Sequence, residues 1–276
     1  MKKHCLKRLF MKSSDASVLT NMTEHSEIPK VIHYCWFGGK KLPALARKCI
    51  DSWKKYFPDY EIKQWNESNF DVNIIPYCAE AYKTKKYAFV SDYARFWVLY
   101  RYGGLYFDTD VEVIKPMKDI VAEGAFMGCE NEFCPTETEC SLGVNPGVGL
   151  GATAGMELYK DIVDLYENLH FQNADGSFNI KNVVQYTTEL LSQKGLKNIS
   201  GIQDIQGVRI YPKEYFCPID YTTKELKITE NTRSIHHYAE SWLPLKVRLI
   251  NSISRIVGAD FVKTCTRLYN KVLNKA

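Results

Sequence analysis

Residues 86–113 read KYAFVSDYARFWVLYRYGGLYFDTDVEV, and the way this stretch divides decides the fold. From Ala79 to Tyr102 the pattern is helical, in two pieces, and Gly103-Gly104 stops it, because glycine enters the left-handed conformation that closes a helix. Leu105 to Phe107 then starts a strand that runs into Asp108-Thr109-Asp110, and Val111, Val113 and Ile114 carry a β pattern on to Pro116. The two carboxylates therefore fall between the end of one strand and the start of another. Read as one extended segment, they alternate and project to the same side, where they can converge on a hard cation.

Upstream, Lys30–Trp36 (KVIHYCW) is a β-rich run that ends at Gly38-Gly39, Pro43 opens a helical pattern, and Tyr60–Trp65 (YEIKQW) restores alternation. This is a β-α-β unit, the building block of parallel sheets. Downstream, Ala125–Cys129 suits a further strand, and Met156–Leu169 and Val183–Lys194 read as amphipathic helices. Val208–Pro212 and Ser234–Tyr238 read as short strands. The stretch Glu130–Gly155 is rich in Gly, Pro, Thr and Cys and reads as a long irregular loop suited to covering a site. The chain thus divides into a polar, basic extension (1–27), one α/β domain (28–242) and two basic amphipathic helices (243–276).

The composition of the 276 residues, 45% hydrophobic and 25% charged, is that of a globular domain, which argues against a disordered or membrane-spanning chain. No run approaches the roughly 18–20 apolar residues a bilayer span needs. The net charge of +4 hides an asymmetry: residues 1–12 carry +5, residues 246–276 carry +6, and the body between them carries −7. An acidic body excludes broad nucleic-acid binding, and basic ends suit an anionic membrane surface. Nine cysteines without a CxxC pair, three of them clustered as Cys129, Cys134 and Cys140, have the wrong spacing for a zinc site and read as free thiols of a reducing compartment. With no apolar leader after Met1, the expected setting is cytoplasmic.

Among polar groups, Asp92 and Arg95 stand three apart on one helix face, where they can form an ion pair or grip neighbouring sugar hydroxyls. His236 and His237 are adjacent in a strand, so one at most faces a site. Of the five tryptophans, Trp53 and Trp97 lie on apolar helix faces and read as core, whereas Trp36 and Trp242 adjoin turn or motif residues.

Four strings occur in order: IPKVIHYCWFGG (28–39), SWKKYFPDYEIKQWNESNFD (52–71), KYAFVSDYARFWVLYRYGGLYFDTDVEV (86–113) and IHHYAESW (235–242). Together they resemble the bacterial glycosyltransferases of family 32, which carry a sugar-binding region containing DxD. The resemblance implies a GT-A fold, a Rossmann-like nucleotide-binding sheet flanked by helices, with Mn²⁺ or Mg²⁺ as cofactor and retention of anomeric configuration. It assigns Trp36 to the nucleotide base, Asp92 and Arg95 to the donor sugar, Asp108 to ribose or sugar hydroxyls and to the metal, and Asp110 to direct metal ligation. His237, Ser241 and Trp242 match a segment that closes over the diphosphate, with His237 completing the metal shell. Glu130 and Asn145 are candidates to line the opposite face of the sugar.

The implied function is transfer of a sugar from a UDP- or GDP-sugar to a glycan acceptor, lipid-linked in the membrane reading, for capsule, exopolysaccharide or O-antigen, at the inner face of the bacterial membrane. Removal of Asp110 is expected to abolish metal-dependent turnover and leave the fold intact. Two other classes fit part of the pattern: a DxD phosphohydrolase of haloacid-dehalogenase type, and a sugar-nucleotide-binding protein without turnover.

Overall fold

The computed structural model describes residues 27–131 and 142–239, apart from 222 and 224. Both basic ends, the 243–276 helices, Ser241, Trp242, Cys134 and Cys140 lie outside the described residues. Within them the chain runs β1 (Val31–Cys35), α1 (Ala44–Tyr56), β2 (Glu61–Trp65), α2 (Pro76–Lys83), α3 (Tyr87–Tyr102), β3 (Gly104–Tyr106), β4 (Val111–Val113), α4 (Lys118–Ala122) and β5 (Phe126–Cys129). It continues through β6 (Val144–Ala152), α5 (Glu157–Glu167), α6 (Val183–Gln193), β7 (Gln203–Ile205), β8 (Val208–Tyr211), α7 (Lys213–Phe216) and β9 (Ser234–His236).

The expected α/β architecture is present as a seven-stranded sheet in the order β2-β1-β3-β6-β5-β8-β7. β1 runs parallel to β2 and β3, β5 runs parallel to β8, and β6 is antiparallel to both β3 and β5. Separately, β4 and β9 form a two-stranded antiparallel sheet. Two apolar cores fill the structure. One gathers side chains of α2, α3, α5 and α6, and the other those of α1, β4 and α7.

Helix α1 belongs to the second core because Ala46, Cys49, Ile50 and Trp53 recur at helical spacing and are all buried. Trp53 is fully buried and donates its indole N–H to the Val111 carbonyl at 2.8 Å, which ties α1 to the strand after the DxD. Trp53→Phe removes that donor and part of the ring, so a loss of about 1–3 kcal/mol in unfolding free energy is expected by urea titration. An unchanged midpoint would remove this tie from the account.

The glycine stop behaves as read. Gly103 has φ +64° and returns its N–H to Leu99, and a Cβ on Gly104 (φ +102°) would lie 2.7 Å from the Val31 carbonyl oxygen. Buried His33 locks this junction. The Trp65 indole can only donate, so His33 Nδ1 accepts from it (3.1 Å) and Nε2–H donates to the Gly103 carbonyl (3.0 Å). Burial pushes the imidazole down to about 4, so it stays neutral in that tautomer.

Three expectations change. The stretch read as an irregular loop contains β6, a central strand buried at all nine positions. Its sequence VNPGVGLGA hides a strand because the sheet there is covered on both faces and leaves no polar alternation. Glycine is also needed for close approach: a Cβ on Gly151 would lie 2.4 Å from the Phe126 ring. Second, β7 went unread although Gln206 and Gly207 (φ +53° and +80°) join it to β8 as a two-residue hairpin turn. Third, Asp108–Asp110 is not extended: the Val111 N–H donates to the Asp108 carbonyl at 3.0 Å, which closes a turn.

Candidate active site

β1 lies between β2 and β3, so the chain leaves β1 to one side through α1 and returns on the other side of it. In open α/β sheets such a reversal opens a crevice at the carboxyl ends of the strands, where ligands bind. Trp36 follows the last residue of β1, and its N–H bonds the Trp65 carbonyl at 2.9 Å. The Phe107 N–H bonds the His33 carbonyl, which carries the β3 chain alongside β1 and brings Asp108 to the same end. Trp36 is half-buried, with its indole N–H on the Lys40 carbonyl at 2.6 Å.

Asp108 is held from three directions. Arg95 Nη1 lies 3.3 Å from Oδ2, the Tyr106 hydroxyl donates to Oδ1 at 3.0 Å, and the Asp108 N–H donates to the Gly147 carbonyl at 3.0 Å. Its side chain keeps 31% exposure, enough to meet a ligand. Arg95 is 4% exposed and spends its other nitrogens inside the protein, Nη2 on Asp92 Oδ1 at 2.9 Å and Nε on the Ser91 carbonyl at 3.1 Å. Its guanidinium also stands 5.1 Å from the centroid of the Tyr106 ring. Asp92 and Arg95, which the resemblance assigns to the donor sugar, form a buried triad with Asp108 as its outward member. Burial pushes the Asp92 carboxyl up to about 7 against the pull of Arg95, with the Asp108 charge adding to the rise.

Asp110 faces elsewhere. Its Oδ2 accepts the Ala239 N–H at 2.8 Å, its carbonyl accepts the His237 N–H at 3.0 Å, and Oδ1 lies 3.4 Å from His236 Nε2. Burial works to raise this carboxyl, but the His236 charge and these hydrogen bonds overcome it and hold it at about 2. Burial likewise works to lower His236, and the Asp110 carboxylate raises it well above the usual imidazole range. The histidine whose ring meets the Asp110 carboxylate is thus His236. His237, the one expected in the metal shell, places Nε2 on Glu112 Oε2 at 2.8 Å.

Glu130 and Asn145 do come together at this end of the sheet, Asn145 Nδ2 donating to Glu130 Oε2 at 2.8 Å and its Oδ1 accepting the Gly147 N–H at 2.7 Å. Burial raises the Glu130 carboxyl, opposed by Asn145 and by the charges of His236 and Lys213. The geometry adds Gly147 and Tyr106 to the residues read from sequence. Tyr106 was legible, since it ends β3 two residues before Asp108. Gly147 sits where β6 slips register against β5, Met127 pairing Leu150 and Gly128 pairing Asn145. A Cβ there would lie 2.0 Å from Asp108 Oδ2. Gly147→Ala is expected to push that carboxylate aside and to cost about 1–3 kcal/mol in unfolding free energy by urea titration. An unchanged midpoint in the alanine variant would show that Asp108 has room to move.

The described cysteines, Cys35, Cys49, Cys78, Cys129 and Cys217, are all buried. Among the described residues no cluster of three or more His, Cys, Asp or Glu is arranged around a single point, and no helix is long and apolar enough to cross a membrane.

Inositol phosphoceramide mannosyltransferase 1 of Schizosaccharomyces pombe is 29% identical over 115 residues, 38% of this chain and 34% of that protein. Inositol phosphoceramide mannosyltransferase 3 of the same yeast is 32% identical over 95 residues, 32% of this chain and 26% of that protein. The uncharacterized glycosyltransferase L373 of Acanthamoeba polyphaga mimivirus is 32% identical over 105 residues, 36% of this chain and 42% of that protein. The chain thus spans between a quarter and under half of the length of these relatives. Among solved structures, the PaToxG glycosyltransferase aligns at TM-score 0.45 and 22% identity over 61% of this chain and 70% of that one. A glycosyltransferase involved in the glycosylation of the major capsid of PBCV-1 aligns at TM-score 0.43 and 13% identity, over 76% and 95%. Residues 43–127, from the start of α1 into β5, match the family model described as glycosyltransferase sugar-binding region containing DXD motif, and its D-x-D falls on Asp108-Thr109-Asp110.

Proposed function

We propose that the chain is a glycosyltransferase that takes a nucleotide-sugar donor into the crevice between β1 and β3 with a divalent cation at the DxD. The observation that carries this reading is the placement of Asp108, backed by buried Arg95 and Tyr106, at the carboxyl end of β3 beside Trp36 at the end of β1. The family match of residues 43–127 supports it.

The donor set suits Mn²⁺ or Mg²⁺. Asp108 and Asp110 are hard oxygen donors, and Asp110, held at about 2, is ionised at neutral pH. Asp110 already gives Oδ2 to the Ala239 N–H and holds Oδ1 3.4 Å from His236, so it would join Asp108 at the cation by exchanging the His236 contact, with phosphate oxygens and water filling the other positions. When bound, the cation would neutralise charge on the departing diphosphate. The chain's own residues do the rest. Trp36 offers a ring for the base, Asp108 accepts from ribose or sugar hydroxyls, and Arg95 with Tyr106 fixes the direction of that acceptor. Asp92 stands behind Arg95 as its counter-charge. Glu130 and Asn145 bound the opposite side, and Ser241 and Trp242 belong to the segment that closes over the diphosphate.

In this reading the donor is UDP- or GDP-linked, the configuration is retained, and the acceptor is a lipid-linked glycan of a cell-surface polysaccharide. In the same reading the setting is bacterial, and the basic ends support work at the cytoplasmic face of a membrane. The test is release of nucleoside diphosphate from a panel of nucleotide sugars with and without Mn²⁺. Metal-dependent release from one donor is expected. A panel that neither turns over nor binds by calorimetry overturns the proposal.

A further inference from the structure

A second hollow opens on the same rim of the sheet, on the far side of Glu130. It has a volume of about 390 Å³ and is lined by Cys129 and Ile210, from the carboxyl ends of the parallel pair β5 and β8, with Leu142, Pro212 and Pro218. That volume is within the range of small-molecule sites. Cys129 and Asn131, which both line it, flank Glu130 in sequence, and Glu130 is joined through Asn145 and Gly147 to Asp108. The hollow and the DxD crevice therefore share the Glu130 segment as a partition.

Two features fix what the hollow accepts. Lys213 lines it with a side chain only 11% exposed, and the ion pair described for its ammonium, with Asp220, spans 3.9 Å. Glu214 lines it as well, but its carboxylate oxygens are taken by Thr229 and Asn231. A nearly buried ammonium, with Asp220 3.9 Å away and its charge also felt at Glu130, suits an anionic group. The wall, in contrast, is largely apolar. Ile199, 48% exposed, lines the hollow together with Leu142, Ile210, Pro212 and Pro218. Apolar side chains around a small hollow suit an apolar portion of a ligand.

Resting on the glycosyltransferase reading, we infer that this hollow is the acceptor subsite and that its acceptor is an anionic amphiphile, with a phosphate-type group against Lys213 and an alkyl chain leaving across Ile199. A neutral glycan would leave both the ammonium and the apolar wall around Ile199 without a match.

The test is calorimetric titration of the full chain with n-decyl phosphate below its critical micelle concentration. The comparison ligands are n-decyl maltoside and inorganic phosphate. Saturable binding of decyl phosphate is expected, weakened about tenfold or more in Lys213→Met, which loses a charge-assisted contact, and in Ile199→Asp, which sets a carboxylate against the anion. Ile199 is half exposed, so that variant carries the test if Lys213→Met fails to fold. Absent binding of decyl phosphate, equal binding by Ile199→Asp, or equal affinity for decyl maltoside or free phosphate each overturns the assignment. Titration of the wild type with UDP and GDP in Mn²⁺ reads the donor site separately. Nucleotide binding without amphiphile binding rejects this inference alone, and amphiphile binding without nucleotide binding rejects the transferase reading on which it rests.

Discussion

Asp110→Ala is expected to lose metal-dependent nucleoside diphosphate release entirely and to lose stability as well, whereas Asp110→Asn loses the release and keeps most of the fold. Alanine removes the acceptor for the Ala239 N–H and the counter-charge of buried His236. Stranding a buried charge costs about 3–5 kcal/mol, but an imidazole can shed its proton, which limits the expected loss to roughly 1–3 kcal/mol. Asparagine retains the acceptor and removes only the charge. The earlier expectation that the alanine variant would leave the fold intact therefore gives way, because Asp110 also joins β4 to the segment after β9. The pH dependence has a definite sign. Asp110 is depressed from 3.8 to about 2, so its contribution is present above pH 3.8 and fades as pH falls through 2. His236 is raised above 6.5, so its side of the same pairing is complete below pH 6.5 and fades as pH rises through the raised value. Urea midpoints should separate wild type from Asp110→Asn most widely between about pH 4 and 6.5. Full turnover in Asp110→Asn would end the metal assignment.

Arg95→Met is expected to cost about 3–5 kcal/mol at pH 8, because the guanidinium is the common partner of Asp92 and Asp108 and Asp92 is buried. The loss should be smaller at pH 5. Asp92 already titrates near 7, so the folded chain binds its proton more readily than the unfolded one, and that part of stability falls as pH rises from 3.8 through about 7. Without Arg95 the carboxyl rises further and the decline extends to higher pH. Arg95→Lys keeps a charge but not the fork that reaches two carboxylates and the Ser91 carbonyl, so a partial rescue is expected. Urea unfolding at the two pH values reads this directly, and equal stability of wild type and Arg95→Met at pH 8 would dissolve the triad.

The parts of this fold that were legible are those in which local signals agree. Lys30–Trp36, the Pro43 helix start and the double glycine after Tyr102 each combine a period with a breaker, and each element appears within a residue or two. Trp53 packs as core for the same reason. β6 was not legible, since a strand covered on both faces shows no alternation, and its glycines answer to Phe126 and Asp108, neighbours distant in sequence. The site shows the same division. Asp92, Arg95 and Asp108 stand out as a pattern and meet in space. The choice between His236 and His237 depends on the pairing of Val111 with His236, which adjacent residues cannot reveal.

That pairing also bears on how the molecule is put together. The segment that matches the glycosyltransferase region ends at residue 127, yet Asp110 takes its hydrogen bond from Ala239, 129 positions later, and β4 finds its strand partner only in β9. The recognisable third of the sequence is therefore not a self-sufficient module. During synthesis the first carboxylate of the DxD can settle against Arg95 early, but the second stays unanchored until the far end of the domain has emerged and docked. Cation binding, if it needs both, becomes a property of the finished chain, and a fragment cut to the matched boundaries would hold the motif without its geometry.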